Sequence, residues 1–460
     1  MRCEARGAGA RWNAAAFNGM RLVYKIGRTA IAACCLKLCA AQSLDDWVKA
    51  NQRWLQTQVT PNTVVPDPDP SRRRLLVSYD VPPAKSPTGF HRSFTYDDAL
   101  AAISFVITGE MDAAALTLDA LARLVRPDGS LWFSYSTANS WPDESDHDSA
   151  MVRAGSIGWV GYALSFYLAH APPCPAINAG CVRERASLLA AAVRLGNYLL
   201  SLEATEPDHP ARGLLRQGHG TIRLAYRPEA HDVVEEYQDV PALGFSTENN
   251  ISSWFFLRAL GQLTEEARWA GAADRIRSAL MRVAWDEHIG QFDEGFSPGG
   301  QRDAGKALDC ASWGALFLLA SGDPDKARQA LGNLENYYGS RDGEAAGYRP
   351  YFNERIYPSF EIGRFYFPND PRKQWRALPL VWSEGSLGVA FAYLRIGQPE
   401  RARQIIEGLR TLQVPASGLR YASRSVPHQM SDAPSVAAST WLVFLAEALA
   451  GNPKAEQFWK

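Results

Sequence analysis

The sequence predicts an all-α fold, a closed (α/α)6 toroid made of six helical hairpins. Six apolar segments begin with small, polar or aromatic residues and then stay apolar on nearly every side. This pattern is typical of helices that are buried all round. Four of the segments end in one repeated Gly-containing turn, and amphipathic segments follow most of the turns. The predicted unit is therefore an inner helix, a short turn, an outer helix and a long loop.

The turns and the spacing of the segments favour a closed ring. The turns read TGEMDAAA, SGDPDKAR, IGQPERAR and AGNPKAEQ, where Gly suits a left-handed C-cap and Pro suits the first turn of a new helix. Open tetratricopeptide solenoids repeat at about 34 residues, whereas these segments are farther apart and irregularly spaced. The inner helices are predicted to start near Thr95, Gly155, Ser246, Ala307, Trp382 and Ser435.

The sixth outer helix is predicted from the N-terminal side of the chain. Little sequence follows the inner helix that starts near Ser435, but SLDDWVKANQRWLQTQV near residue 43 has a helical pattern. We expect this segment to pack beside the last inner helix and to close the ring. Residues 42–460 are accordingly predicted to form one toroid domain.

Residues 1–41 are predicted to be a signal peptide or leader. Met20, an alternative start, opens the basic segment MRLVYKIGR, and a short apolar stretch that ends in small residues follows it. This layout predicts export to the periplasm or the exterior; without a working signal the protein would be cytoplasmic. Cys174 and Cys181 bracket a short loop and are spaced for a disulfide in an oxidising compartment.

Composition excludes several classes of partner. The 460 residues carry a net charge of −1 and contain no basic stripe, so nucleic acid is not expected as a partner. No apolar run is long enough to predict a membrane span. No CxxC or Cys/His spacing predicts a zinc site. We expect neither a metal nor a cofactor.

The chemistry is expected at the end of the ring where the inner helices begin. The long aromatic loops all lead into these starts, and functional residues concentrate on long loops held by a rigid scaffold. Acids in first helical turns also stabilise helices, and Thr95 with Asp98 has the spacing of a capping box. The acids at the predicted starts are Asp97, Asp98, Glu248, Asp309 and Glu384.

The chain after residue 42 resembles the six-hairpin glycosidase superfamily. The resemblance rests on the architecture, on the aromatic loops and on the acid-bearing starts YDD, TEN, LDC and WSEG. It implies a cleft at the inner-helix N-termini, a carbohydrate substrate and an inverting pair of carboxylates. Such a pair needs one protonated carboxyl, which assists the leaving group, and one ionised carboxyl, which activates water.

The candidate residues follow from these requirements. The catalytic candidates are Glu384, Glu248, Asp97 and Asp309. Glu384, between Trp382 and Gly385, is expected to be the acid, and Glu248 or Asp97 the base. The residues expected to contact the sugar are Tyr96, Trp132, Trp159, Asn249, Trp313, Tyr351 and Trp382.

The predicted function is an exported glycoside hydrolase acting on a neutral or weakly charged poly- or oligosaccharide. One alternative is a sugar epimerase or polysaccharide lyase on the same scaffold, enzymes that typically use His or Tyr bases. Another is a non-catalytic carbohydrate-binding or scaffold protein of polysaccharide export, in which the aromatic cleft remains and the acids do no chemistry.

Overall fold

The computed structural model divides the chain into two compact units, Met1–Trp47 and Val48–Lys460. The predicted leader, residues 1–41, lies outside the described residues, and the fold below is that of the second unit. The described residues are 43–59, 74–84, 92–137, 151–175 and 178–460.

The six inner helices start within one residue of the predicted positions. In the described residues, and in chain order, the helices are α1 (Leu44–Gln58), α2 (Thr95–Thr108), α3 (Met111–Leu124), α4 (Ala154–His170), α5 (Ala179–Ser201), α6 (Thr247–Thr264), α7 (Ala267–Ala279), α8 (Leu308–Ala320), α9 (Pro324–Gly332), α10 (Leu334–Tyr338), α11 (Phe360–Tyr366), α12 (Ser383–Arg395), α13 (Pro399–Gly408), α14 (Val436–Leu449) and α15 (Pro453–Gln457).

Six of these helices form a closed inner ring. Helices α2, α4, α6, α8, α12 and α14 pack each on the next, and α14 packs back on α2. The outer helices α3, α5, α7, α9 and α13 each pack on the inner helix that precedes them. The inner helices are buried on almost every side because both the ring and the outer layer cover them. The (α/α)6 toroid is confirmed.

Helix α1 lies in the position of the sixth outer helix. The side chain of Gln52 hydrogen-bonds Glu447 of α14 at 3.5 Å. Asn51 donates to Gln413 at 2.8 Å and accepts the backbone N–H of Leu419 at 3.1 Å. These contacts join the two ends of the ring through side chains.

The four repeated turns share one backbone conformation. Gly109, Gly322, Gly397 and Gly451 all adopt left-handed φ values between 79° and 90°. Proline occupies the first turn of α9, α13 and α15, as the repeat predicts. After α6 the same conformation falls on Glu265, with φ 58°, because that turn has no glycine at the position.

The axis of the ring is filled by aromatic side chains. Trp459 stacks on Trp159 of α4 and on Phe255 of α6, with ring centroids 4.6 and 4.5 Å apart. It also meets Trp313 of α8 edge-on at 5.3 Å. Since these partners belong to three different inner helices, Trp459 closes the centre of the ring and leaves a core instead of a channel.

Short antiparallel strands lie in the connections between the helices, and the all-α prediction does not contain them. The longest pair is the hairpin β4–β5, and the pairing of Val152 with His219 joins β3 to it. In the described residues the strands are β1 (Arg92–Phe94), β2 (Ser134–Ser136), β3 (Val152–Arg153), β4 (Gly218–Arg227), β5 (Asp232–Ala242), β6 (Phe245–Ser246), β7 (Trp285–Asp286), β8 (Gln291–Phe292), β9 (Gly295–Phe296), β10 (Arg302–Asp303), β11 (Gly339–Asp342) and β12 (Ala345–Tyr348).

No described helix combines the length and the apolar character that crossing a membrane would require. The sulfur atoms of Cys174 and Cys181 are bonded to one another, as their spacing predicts.

Candidate active site

A cavity of about 500 Å³ opens at the end of the ring where the inner helices begin. The first turns of all six inner helices contribute residues to its wall. Every predicted site residue except Trp132 lines it. These residues are Glu384, Glu248, Asp97, Asp309, Tyr96, Trp159, Asn249, Trp313, Tyr351 and Trp382.

Trp132 lies in a neighbouring cavity instead. Its ring is covered by the guanidinium of Arg126, 4.8 Å from the ring centroid, and Tyr198 and Tyr237 share that cavity. The adjacent Phe133 lines the central cavity. Successive side chains in an extended segment point in opposite directions. The adjacent residues Trp132 and Phe133 therefore face different cavities.

Glu384 is held by phenolic hydroxyl groups. The Tyr96 hydroxyl donates to Glu384 Oε1, and Trp441 Nε1 in turn donates to the Tyr96 hydroxyl at 3.3 Å. The Tyr421 hydroxyl also hydrogen-bonds Glu384. Burial raises the pKa of Glu384 to about 8, although both hydroxyls favour the ionised form and oppose the rise. The hydroxyls fix the direction of this carboxyl group.

Glu248 has a different environment at the start of α6. The helix is capped by Ser246, whose hydroxyl accepts the Asn249 N–H at 3.2 Å, so the Glu248 side chain is not needed for capping. Its carboxyl group accepts no hydrogen bond from the described residues. Burial, followed by the charges of Asp309 and Glu384, raises the pKa of Glu248 well above its usual range. Both effects favour the protonated form of Glu248.

Asp309 ionises before its neighbour Glu248. The Cys310 N–H donates to Asp309 Oδ1 at 2.9 Å, which favours the charged form at the start of α8. Burial still raises the pKa of Asp309 to about 6. Asp309 therefore ionises at lower pH than Glu248, and its negative charge favours the protonated form of Glu248.

The two acids of the YDD start separate into a wall residue and a structural residue. Asp97 lines the cavity and is bonded by the Ser78 hydroxyl and the Ala437 N–H; burial raises its pKa to about 7. Asp98 is fully buried away from the cavity. It accepts hydrogen bonds from the Leu76 N–H at 2.7 Å and the Ser93 hydroxyl at 2.8 Å. Asp98 therefore connects segments instead of facing a ligand.

The variant Asp98→Asn is expected to change the pH dependence of stability. Burial raises the folded-state pKa of Asp98 to about 7, against about 3.9 when unfolded. The contribution of the Asp98 carboxyl to the free energy of unfolding is fully present below about pH 4 and is lost as the pH rises through about 7. Relative to the parent, the variant should gain about 4 kcal/mol between those limits. Urea unfolding at pH 4 and pH 7 measures this, and an unchanged difference between the two proteins would contradict it.

The inner-helix tryptophans form the floor of the cavity. Trp159, Trp313 and Trp382 are only 1%, 4% and 7% exposed. Trp159 meets Tyr96 edge-on at 5.2 Å and Trp313 at 5.4 Å, so most of their faces are covered by protein. Trp382 lies over Gly385, where a Cβ would come within 2.2 Å of its ring. The more accessible aromatic residue is Tyr351, from the long loop before α12.

Several wall residues are not among the predicted ones. They come from connecting segments, where no helical start marks the position, and they are Tyr79, Phe94, Phe133, Tyr421, Gln429 and Met430. Tyr421 matters most because it bonds Glu384. Its only sequence signal is an aromatic residue in a long connection that leads to an inner helix.

Within the part of the chain that the structure describes, no group of three or more His, Cys, Asp or Glu side chains is arranged to hold a metal ion. The described wall of the central cavity carries carboxyl and phenol groups.

No protein-family model matches the sequence, and no curated protein does. Solved structures are similar in fold. A glycosidase in complex with glucose is 12% identical, with a TM-score of 0.56 over 88% of this chain and 97% of the other. A D-mannose isomerase is 10% identical, with a TM-score of 0.55 over 89% and 97%.

A GH76 α-mannanase of Bacteroides thetaiotaomicron is 11% identical, with a TM-score of 0.54 over 91% of this chain and 98% of the other. The similarity spans nearly the whole length of each protein. The chain thus shares the fold of these solved structures.

Proposed function

We propose that this protein is a glycoside hydrolase that cleaves a neutral or weakly charged glycan. The observation that carries the proposal is the contrast between Glu248 and Glu384 in one aromatic cavity. The Glu248 carboxyl accepts no described hydrogen bond, and burial favours its protonated form. The Glu384 carboxyl is oriented by two phenols, whose hydrogen bonds favour its ionised form. Glycosidic hydrolysis needs such a pair of carboxyl groups with different environments.

The environments favour Glu248 as the acid and Glu384 as the base, which reverses the roles expected for them. Protonated Glu248 would donate to the departing glycosidic oxygen. Ionised Glu384, oriented by Tyr96 and Tyr421, would remove a proton from the attacking water. Asp309 supports the acid because its negative charge keeps the proton on Glu248. An inverting reaction further requires the two reacting carboxyls to be about 6.5–9.5 Å apart.

The variant Tyr96→Phe is expected to move the pH profile of activity. A base works in its ionised form, so kcat/KM should rise with pH towards the Glu384 pKa of about 8. Removing the Tyr96 hydroxyl takes away a hydrogen bond that favours ionised Glu384, so the rise should occur at higher pH. We expect about a tenfold loss of kcat/KM at pH 7 and recovery at alkaline pH. A uniform loss at every pH would instead indicate a packing role for Tyr96.

Hydrolysis is favoured over isomerisation by the residues of the wall. Isomerising a sugar requires a base that moves a proton between carbons, and histidine is the side chain most often used for proton transfer. None of the described residues that line the central cavity is a histidine. An isomerase, epimerase or lyase reaction would therefore depend on a tyrosine base, and the wall tyrosines Tyr96 and Tyr421 are already hydrogen-bonded to Glu384.

The test is a panel of glucans, mannans and other exopolysaccharides incubated with the purified protein. Release of reducing ends supports hydrolysis. Conversion of a free hexose to its isomer without release would favour an isomerase. Saturable glycan binding with neither reaction would favour the carbohydrate-binding alternative.

We also propose that the protein acts outside the cytoplasm. The bond between Cys174 and Cys181 supports this, since disulfides persist in oxidising compartments. The basic and apolar pattern of residues 1–41 is the second support. Sequencing the N-terminus of protein recovered from the periplasm or the medium tests it, and retention of residues 1–41 on a cytoplasmic protein would refute it.

A further inference from the structure

A second, larger cavity of about 760 Å³ lies outside the ring. One wall is the hairpin β11–β12 and the opposite wall is α13. Four of its lining residues are arginines, and its one lining acid is Glu335. The arginines are Arg341, Arg349, Arg376 and Arg401.

Only one of these arginines forms an ion pair with a described residue. Arg401 pairs with Glu335 at 2.7 Å, and the Tyr348 hydroxyl donates to the same Glu335 oxygen at 2.6 Å. The guanidinium groups of Arg341 and Arg376 are exposed and have no carboxylate partner in the described chain. The cavity therefore concentrates positive charge on a protein whose overall net charge is −1.

Arg349 is the fixed cation of the cavity. Its terminal nitrogens donate to the backbone carbonyls of Arg376, at 2.6 Å, and Gly339. These carbonyls hold the group in place but carry no net charge. Burial lowers the pKa of Arg349, which shows that the charged form is under-solvated there. A partly buried cation without a counter-ion is costly, and an anion in the cavity would offset that cost.

We propose that this cavity binds an oxyanion carried by a small polar molecule, such as the phosphate or the carboxylate of a sugar derivative. The guanidinium fork matches both groups geometrically and forms charge-assisted hydrogen bonds with them. The volume is within the range of small-molecule sites, about 300–1,000 Å³. The site is separate from the central cavity and does not depend on the proposed hydrolysis.

The chain between the two cavities is short. Tyr348 and Arg349 line the arginine cavity, and Pro350 and Tyr351 line the central one. The carbonyl of Pro350 accepts the N–H of Leu308, the first residue of α8, at 2.8 Å. An anion bound beside Arg349 would consequently occupy the reverse side of the segment that supports the start of α8.

The test is calorimetric titration of the full chain with inorganic phosphate and with D-glucuronate at constant ionic strength. The test variant is Arg341→Gln/Arg376→Gln, because both side chains are exposed and neither holds the fold together. The matched control is Arg403→Gln, an exposed arginine of α13 that does not line the cavity. Circular dichroism establishes that each variant is folded.

We expect saturable binding of at least one probe, weakened about tenfold or more in the double variant and unchanged in Arg403→Gln. Tighter binding of phosphate would identify a phosphorylated ligand, and tighter binding of glucuronate a carboxylate-bearing one. Absence of saturable binding, or equal affinity in the double variant, would overturn the site. Binding should also persist in Glu248→Gln, so a failure of the proposed hydrolysis remains distinguishable.

Discussion

The variant Glu248→Gln is expected to lose about a thousandfold in kcat on an unactivated glycan. Glutamine keeps the size of the side chain but cannot donate the proton that the leaving oxygen needs. The loss should be far smaller, about tenfold or less, on a dinitrophenyl glycoside, because that leaving group departs as a stable anion without protonation. Initial rates on both substrates measure the effect.

The variant Glu384→Gln provides the contrast. Loss of the base prevents activation of water whichever group departs, so both substrates should be cleaved about a thousandfold more slowly. The matched control is Glu400→Gln, a first-turn glutamate of the outer helix α13, which should retain full activity. If the two variants responded to the substrates in the opposite way, the roles of Glu248 and Glu384 would be exchanged. Full activity in either variant would remove it from the reacting pair.

The variant Asp293→Ala is expected to lose about 3–5 kcal/mol of unfolding free energy. Asp293 is fully buried and bonds Lys306 and Arg302 through its two carboxylate oxygens. The Lys306 side chain is only 6% exposed, and its remaining carboxylate partner is Asp286 at 3.3 Å. Without Asp293, the buried ammonium group of Lys306 keeps only one carboxylate partner, Asp286. Urea unfolding measures the loss.

Two comparison variants identify the buried charge as the cause. Asp325→Ala breaks an exposed pair with Arg328 and should cost at most about 1 kcal/mol. The double variant Asp293→Ala/Lys306→Met removes both charges of the buried pair and should recover part of the stability. If the double variant were no more stable than Asp293→Ala, the lost packing around residue 293 would explain the effect instead.

The inner ring could be predicted because helical burial leaves a strong local pattern. The segments from Thr95, Ser246 and Trp382 are apolar on every side because each is enclosed by two ring neighbours and an outer helix. Four turns share one glycine conformation because each of them reverses the chain from an inner helix to the helix that follows. Once six such starts are known to converge, their polar residues must meet, which is why all but one of the predicted site residues line the cavity.

The placement and roles of individual site residues could not be predicted, because they depend on contacts between segments far apart in the sequence. The sequence separates Asp97 from Asp98 only by the capping-box spacing of Thr95 and Asp98, and that cap does not form. Asp98 stays out of the cavity because it instead accepts hydrogen bonds from Leu76 and Ser93. The roles of Glu248 and Glu384 follow from partners such as Tyr421, which belongs to another hairpin. The hairpin β4–β5 lies outside the helical pattern, because in β4 the apolar Ile222, Leu224 and Tyr226 recur at the two-residue period of a strand.

The side-chain seam that closes the ring has a consequence for the order of folding. Asn51 bonds Gln413 and Leu419 across 362 and 368 residues, so these contacts form only after nearly the whole chain is available. Closing loops of that length costs conformational entropy before any contact offsets it, and such topologies fold slowly. During synthesis from the N-terminus, α1 is made long before α14, so the hydrogen bond between Gln52 and Glu447 forms late. The seam consequently cannot form until the first five hairpins have been synthesised, so closure of the ring is a late step.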